Sequence, residues 1–466
     1  MLLLPIVAVL HFLPTALARP TDGGSYAYDA TDVVTSIDSA GGRARVWYSS
    51  SGPNVVKAGD TDGDGIPDFA ETVAADADSV LATYADFGFR PLVSDGTAGG
   101  SDALDVYLVD FGGDADGNYA PEHCTANICS GYFQMENDFQ GYGYSSIDFA
   151  IETLTSHELF HAVQASYNDS EDSWYAEGTA EWAENFYDLA IGGTGNADFE
   201  SYCDYYLTDT GRSLDSPPAG PVPPFSYSTA IFWYFITQRY GDAWMLDYLD
   251  ATANNEDLVQ AIADRTDLGT DFVDFAVWNL ATGSLAGGLP DGAGYDFAAS
   301  IGPPTMEAKG PSLDDDQRFY PLATTYYKLE WPGGDLQFGL AADAPDVTFQ
   351  LWGLDANGHV NAMLANPASA AGVVDLGDYA AGDYYFFGVN ATQAAESTKV
   401  EFCLGADASC YTPPTDTGDT GSSPDDTGKT SGQPKGCGCA TDPGAGGWAV
   451  GMVALGLAAT RRRQRA

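Results

Sequence analysis

Basic residues are scarce in this sequence: 18 Lys and Arg stand against 67 Asp and Glu, a formal net charge of −49 over 466 residues. Four of the 18 fall in the last six positions, "RRRQRA", so the remainder is more acidic still. A surface this negative repels phosphate backbones and anionic lipid, which excludes nucleic acid and anionic membrane surfaces as partners. It suits a saline medium, where carboxylates keep a surface hydrated, or a calcium-rich one. Histidine is scarcer, with five residues, and cysteine is limited to seven. The apolar share of 44% is ample for one large core and a smaller one.

The scarcity of histidine gives weight to "TSHELFHAVQ", residues 155–164. At this composition a chance His-Glu-x-x-His is on the order of 0.002 per chain. On a helix His157 and His161 stack at i, i+4 with Glu158 beside them, and Leu159 and Val163 fall on the opposite face, so an amphipathic helix with its imidazoles on the polar side is expected. A catalytic zinc takes three protein ligands and one water, which calls for a third donor. Downstream, "WYAEGTAEWAENF" (174–186) reads as a second helix with Glu177 and Glu181 at i, i+4 on one face.

Another metal pattern stands near the start. In "DTDGDGIPDFAE" (60–71), Asp60, Asp62, Asp64, Gly65, Asp68 and Glu71 match D-x-D-x-D-G with Glu at the twelfth position, the scheme by which alternate oxygens of an EF-hand loop wrap one Ca2+. Residues 69–86 read as a helix leaving that loop, "LDVYLVDF" (104–111) as a half-buried strand, and "GYFQMENDF" (131–139) as an edge strand able to take extended substrate by strand addition. Helical signals run from 228 to about 282. From about 308 the period changes to short strands between Gly, Asp and Pro turns, a small β-sandwich whose aromatics are expected to form core and whose His359 sits in a loop.

The ends carry targeting signals. Residues 1–18, "MLLLPIVAVLHFLPTALA", end in a small-residue cleavage site and read as a signal peptide, which implies export to an oxidising compartment. Cys124 with Cys129 and Cys403 with Cys410 are close enough to form local disulfides, leaving Cys203 unpaired. Residues 411–435 repeat Asp-Thr-Gly and read as a disordered linker. "GCGC" (436–439), a short apolar run around 448–459 and an arginine cluster then resemble the myxobacterial C-terminal sorting tail. That resemblance implies processing at Cys437 or Cys439 by a dedicated tail-processing protease, only transient membrane contact, and a product that is secreted or held at the cell surface.

The His157–Glu177 pattern resembles the gluzincin metallopeptidases, which pair HExxH with a downstream W-x-x-E-G-x-A-x-[YW]; Trp174, Glu177, Gly178, Ala180 and Trp182 fit it. The resemblance implies an α+β fold with a thermolysin-like zinc peptidase domain over 19–305, carrying the calcium-type loop, followed by the β-sandwich at 306–410. It implies Zn2+ held by His157, His161 and Glu177, Glu158 as general base, and Glu181 as the carboxylate that receives the other N–H of the first histidine. The gap from His161 to Glu177 is a few residues shorter than in thermolysin, which leaves Glu181 or Glu184 as alternative third ligands. Such enzymes often supply an oxyanion donor from a later helix, here Tyr227 in "FSYSTAIFWYF", with His123 as its rival. Met135-Glu136-Asn137 is similar to the G-x-M-E-N signature of gluzincin aminopeptidases, but Phe133 replaces its Gly, and the strand is read instead as lining an endopeptidase cleft. The expected function is a secreted zinc endopeptidase acting on protein or peptide substrates. The rival is a calcium-stabilised adhesin with non-catalytic zinc, against which Glu158 argues, since a purely structural site has no use for it.

Overall fold

The computed structural model describes residues 18–407 apart from 25, 171, 220, 221, 311, 394 and 395. Residues 1–17 of the expected signal peptide (1–18), Cys410, the expected linker at 411–435 and the expected sorting tail at 436–466 with Cys437 and Cys439 lie outside the described residues.

The first sheet holds β1 (Val34–Asp38), β2 (Ala44–Ser49), β3 (Leu104–Val109), β4 (Gly117–Thr125) and β5 (Ile128–Glu136) in the order β1-β2-β3-β5-β4. The inner three run parallel, and β1 and β4 are antiparallel to their neighbours. Side chains alternate across the pleat. Val106, Leu108, Phe133 and Met135 join the helices in the main core, while Tyr107, Val109 and Tyr132 point the other way and are covered by Tyr26 and Tyr28 of the N-terminal segment. The strand expected at the edge is therefore β5, an interior strand, and the edge is β4. Its aromatic and polar alternation suggested one wet face, but both faces are covered and every residue from Cys129 to Glu136 is buried.

The helices pack on one face of this sheet. α1 (Asp68–Phe87) buries Phe69, Val73, Ala77, Val80 and Tyr84 at helical spacing and ends at Gly88, whose φ of 114° suits a residue without Cβ. α2 (Ile147–Ala165) starts at Ser146, whose side chain accepts from the Phe149 N–H at 3.0 Å. The expected amphipathic helix is not observed. α2 is buried nearly all round, because the sheet and α1 take one side and α3 (Ser173–Ala190) takes the side that carries the imidazoles. α4 (Ala197–Tyr206), α5 (Pro224–Ser228), α6 (Ala230–Tyr240), α7 (Trp244–Thr252), α8 (Leu258–Ala263) and α9 (Leu268–Leu280) complete the helical region. Gly178 lets α3 meet these later helices closely: a Cβ there would stand 2.0 Å from Thr229 Oγ1.

The remaining strands are β6 (Met306–Lys309), β7 (Leu313–Phe319), β8 (Ala323–Trp331), β9 (Gly334–Leu340), β10 (Val347–Leu354), β11 (Val360–Ala365), β12 (Gly372–Tyr379), β13 (Gly382–Asn390) and β14 (Thr398–Gly405). They form two facing sheets, β11-β10-β13-β8-β6 and β12-β9-β14-β7, around a core that includes Phe338, Phe349, Phe386 and Phe402. The outer side of the β11-β10-β13-β8-β6 sheet is apolar too. Tyr326, Tyr385, Phe387 and Val389 share the main core with the helices, and Tyr326 Oη donates to the Ala276 carbonyl at 2.8 Å. The expected class, α+β with a helical region followed by a C-terminal β domain, is the one observed. Among the described residues no helix is long and apolar enough to cross a membrane.

Candidate metal centre

Two helices build the centre. His157 and His161 project from one face of α2 toward Glu177 on α3, and His157 Nε2 and His161 Nε2 each stand 3.4 Å from Glu177 Oε2. Zinc bonds of about 2.1 Å in a tetrahedron place neighbouring donors roughly 3.4 Å apart, so the spacing suits a zinc shell. His161 Nε2 is buried without a hydrogen-bond partner, as a donor atom awaiting a cation would be. The three residues fit the ion chemically and by separation.

Both imidazoles are oriented from behind. His157 Nδ1–H donates to Glu184 Oε1 at 2.8 Å. Glu181, the expected acceptor, has its nearest oxygen 3.6 Å from that nitrogen. Seven residues of helix bring Glu184 to within about 20° of Glu177 around the axis, whereas four carry Glu181 about 40° to the other side. His161 Nδ1 faces Gln164 Oε1 at 2.8 Å. Gln164 Nε2 donates to the Ala176 carbonyl and to Thr179 Oγ1, at 2.8 and 2.6 Å, which forces its carbonyl oxygen toward His161. Each ring thus carries its proton on Nδ1 and turns Nε2 to the centre. Glu184 and Gln164 are the site residues that the sequence reading did not assign to these roles. The signals available were only their spacings, i+7 from Glu177 and i+3 from His161.

The electrostatics match a cation. Burial alone would raise the Glu177 carboxyl, but His161 and His157 beside it bring it down to about 2. Burial depresses His157 to about 4. Burial also opposes charge on His161, yet Glu177 prevails and raises it to about 9. The pocket therefore favours one positive charge against Glu177. Burial pushes the Glu158 carboxyl up to about 8, and both its oxygens are buried without a hydrogen bond. Behind the centre, burial lifts Glu181 and Glu184 well above the carboxylate range, with Asp198 adding to both.

The cleft beside the centre is walled by β4 and the α2–α3 connection, with Tyr119, Pro121, His161, Asp169, Glu177 and Val222 among its lining. The Glu136 N–H bonds the Asp116 carbonyl at 2.8 Å, so antiparallel alternation turns the backbone groups of Gly117, Tyr119 and Pro121 away from β5 to the free edge. Tyr227, on α5, stacks its ring 5.7 Å from that of His157, and its hydroxyl is buried without a partner. His123 is exposed at the far end of β4, in the hairpin closed by the Cys124–Cys129 disulfide. Cys203 is buried and free, and the expected partner of Cys403 lies outside the described residues. The Met135-Glu136-Asn137 stretch is committed elsewhere. Glu136 accepts from the Phe111 N–H and the Tyr142 hydroxyl, both at 3.0 Å, and Asn137 Nδ2 donates to the Val55 carbonyl at 2.8 Å.

At the other expected metal site, Asp60, Asp62 and Asp64 bring carboxylate oxygens within 4.8 Å of one another on the surface. Asp60 accepts from the Gly63 and Gly65 N–H groups at 2.7 and 3.0 Å, and Asp68 is engaged by Thr61. Residual burial and then the neighbouring aspartates raise Glu71.

No protein-family model matches this chain, and no curated protein matches it. Among solved structures it is similar to an M1 zinc metallopeptidase from Deinococcus radiodurans, also solved with a Tyr-Ser-Ala substrate, at 17% identity over 48% of this chain, with a TM-score of 0.28. The likeness spans 44% of that chain, less than half its length. A second likeness, at 13% identity over 22% of this chain and 92% of the other with a TM-score of 0.15, is to a periplasmic inhibitor of g-type lysozyme from Aeromonas hydrophila.

Proposed function

We propose that this protein is a zinc-dependent endopeptidase in which His157, His161 and Glu177 hold the metal and Glu158 is the general base. The observation that carries this is the convergence of two Nε2 atoms on one Glu177 oxygen, each ring being held at Nδ1 by its own acceptor. Bound there, zinc would lower the pKa of a coordinated water toward neutrality and polarise the scissile carbonyl. Glu158, with no hydrogen bond of its own, accepts the proton of the attacking water and passes it to the leaving amine. The unpartnered Tyr227 hydroxyl is the donor for the developing oxyanion. The outward backbone groups of β4 pair with an extended substrate. The endopeptidase reading is favoured over an aminopeptidase because Glu136 is not among the residues that line the cleft, and its Oε2 is occupied by the Phe111 N–H and the Tyr142 hydroxyl.

Secretion through the signal peptide, Ca2+ bound at residues 60–71 and processing at Cys437 or Cys439 belong to the same proposal. They are supported by the acidic surface, the Asp60-Asp62-Asp64 cluster and the tail pattern. The test is hydrolysis of labelled casein by the zinc-loaded chain with and without a chelator. Cleavage that a chelator stops and zinc restores is expected, and a zinc-binding protein that leaves casein intact would favour the adhesin reading.

A further inference from the structure

Arg19 is 4% exposed, and its guanidinium is engaged by three carboxylates and, through Nη1, by the Tyr107 hydroxyl at 3.3 Å. It forks onto Glu122, with Nε to Oε1 at 2.8 Å and Nη2 to Oε2 at 2.6 Å, reaches Asp95 Oδ2 at 2.5 Å, and pairs with Asp105. Asp105 is held in turn by Trp47 Nε1–H at 2.7 Å, and Tyr132 lies 5.6 Å below the guanidinium. In a chain with so few basic residues, this one is buried on the sheet face opposite the helices, where Tyr107 and Tyr132 project.

Glu122 is not an ordinary strand residue. Pro121 pairs with Gly131 and His123 with Ser130, so Glu122 is the extra residue of a bulge. A bulge shifts the phase of the ladder and re-aims what precedes it. Immediately before it stand Tyr119 and Pro121, whose backbone groups face the cleft. The same hairpin is closed beyond the bulge by the Cys124–Cys129 disulfide, which leaves the bulge as the place where the edge strand can still shift. A buried ion pair is weak evidence for stability in itself; what it specifies is geometry.

We propose that Arg19 is a positioning residue for the cleft. By gripping Glu122 from the far face of the sheet, it fixes the bulge and so the register of the free β4 edge that receives extended peptide. This rests on the peptidase reading, and two readouts separate the two ideas. With labelled casein and the full zinc-loaded chain, Glu122→Ala and Arg19→Ala each raise KM about 5- to 10-fold while kcat and zinc content stay within about 2-fold. The double variant is no worse than the single ones, and Arg19→Lys recovers part of the loss. The second readout is amide exchange at residues 117–121, which Glu122→Ala speeds about 10-fold or more while sparing α2, whatever the chain hydrolyses. Should Arg19→Ala fail to fold, Glu122→Ala carries the test, since Asp95 and Asp105 still hold Arg19. Unchanged exchange at 117–121, additive single effects, or a loss confined to kcat overturns the proposal. A wild type that cleaves no casein yet shows the exchange change defeats only the peptidase reading.

Discussion

Glu184, not Glu181, should set the zinc affinity of this centre. A neutral buried hydrogen bond contributes about 1 kcal/mol net, and one to a charged acceptor about 1.5–3 kcal/mol. His157 Nδ1–H is 2.8 Å from Glu184 and 3.6 Å from Glu181, so once a bound cation offsets the burial that raises Glu184, the charged bond belongs to the former. Glu184→Gln keeps an acceptor but loses the charge, a difference of about 1 kcal/mol, which is ~5-fold in the zinc dissociation constant. Glu184→Ala removes the acceptor and leaves His157 free to turn, for a loss of 10- to 100-fold, the usual effect of deleting such a partner. Glu181→Gln should change affinity less than about 3-fold. It should also raise the melting temperature, because burial already holds that carboxyl well above its ordinary range and neutralising it removes a desolvated acid. Zinc titration against a competing chromophoric chelator reads these constants without reference to catalysis. Equal losses for Glu181→Gln and Glu184→Gln, or full affinity in Glu184→Ala, would refute the reasoning.

Glu158→Gln should keep zinc bound and lower turnover at least ~10²-fold, since the amide cannot take a proton; turnover within tenfold of wild type removes Glu158 as the base. If residues 60–71 bind Ca2+ with the Kd of about 10⁻⁴ to 10⁻³ M usual for extracellular loops, melting temperature rises across millimolar calcium, and the Asp62→Ala, Asp64→Ala pair abolishes that rise. Asp116 should make stability fall with pH: burial, against the hydrogen bond from Tyr144 and with Asp198 and Glu136 nearby, raises its carboxyl to about 7. Its folded pKa lies above the unfolded value near 4, so its contribution is complete below pH 4 and is lost as pH rises to 7, by at most ~4 kcal/mol. Asp116→Asn should flatten that part of the denaturant midpoint against pH, and an unchanged slope would show that Asp116 is ionised in the fold.

The parts of the site that were legible in the sequence are those whose spacing is local. His157, Glu158 and His161 lie within two turns of one helix, and Glu177 and Gly178 open the next, so a 3.6-residue period suffices to bring them to neighbouring faces. The α+β order was legible for the same reason, since the change from helical to strand spacing near residue 306 needs no knowledge of what packs where. What lies opposite a residue is not local. The alternation in β5 was visible, yet only the N-terminal segment, more than a hundred positions away, makes its second face dry. Glu181 and Glu184 are equally helical and equally acidic, and the choice between them is made by where the His157 ring sits on another helix. Tyr227 was one of 27 tyrosines, and nothing in its spacing distinguishes it from those that fill the core. Its position is set by how closely α5 and α6 approach α3, which in turn depends on the absence of a side chain at Gly178. A methyl group there would press on Thr229, two residues from Tyr227, and move the ring that stacks on His157. The glycine in the E-G pair therefore has a task that a motif cannot express: it sets the distance between the helix that carries Glu177 and the one that carries the ring stacked on His157.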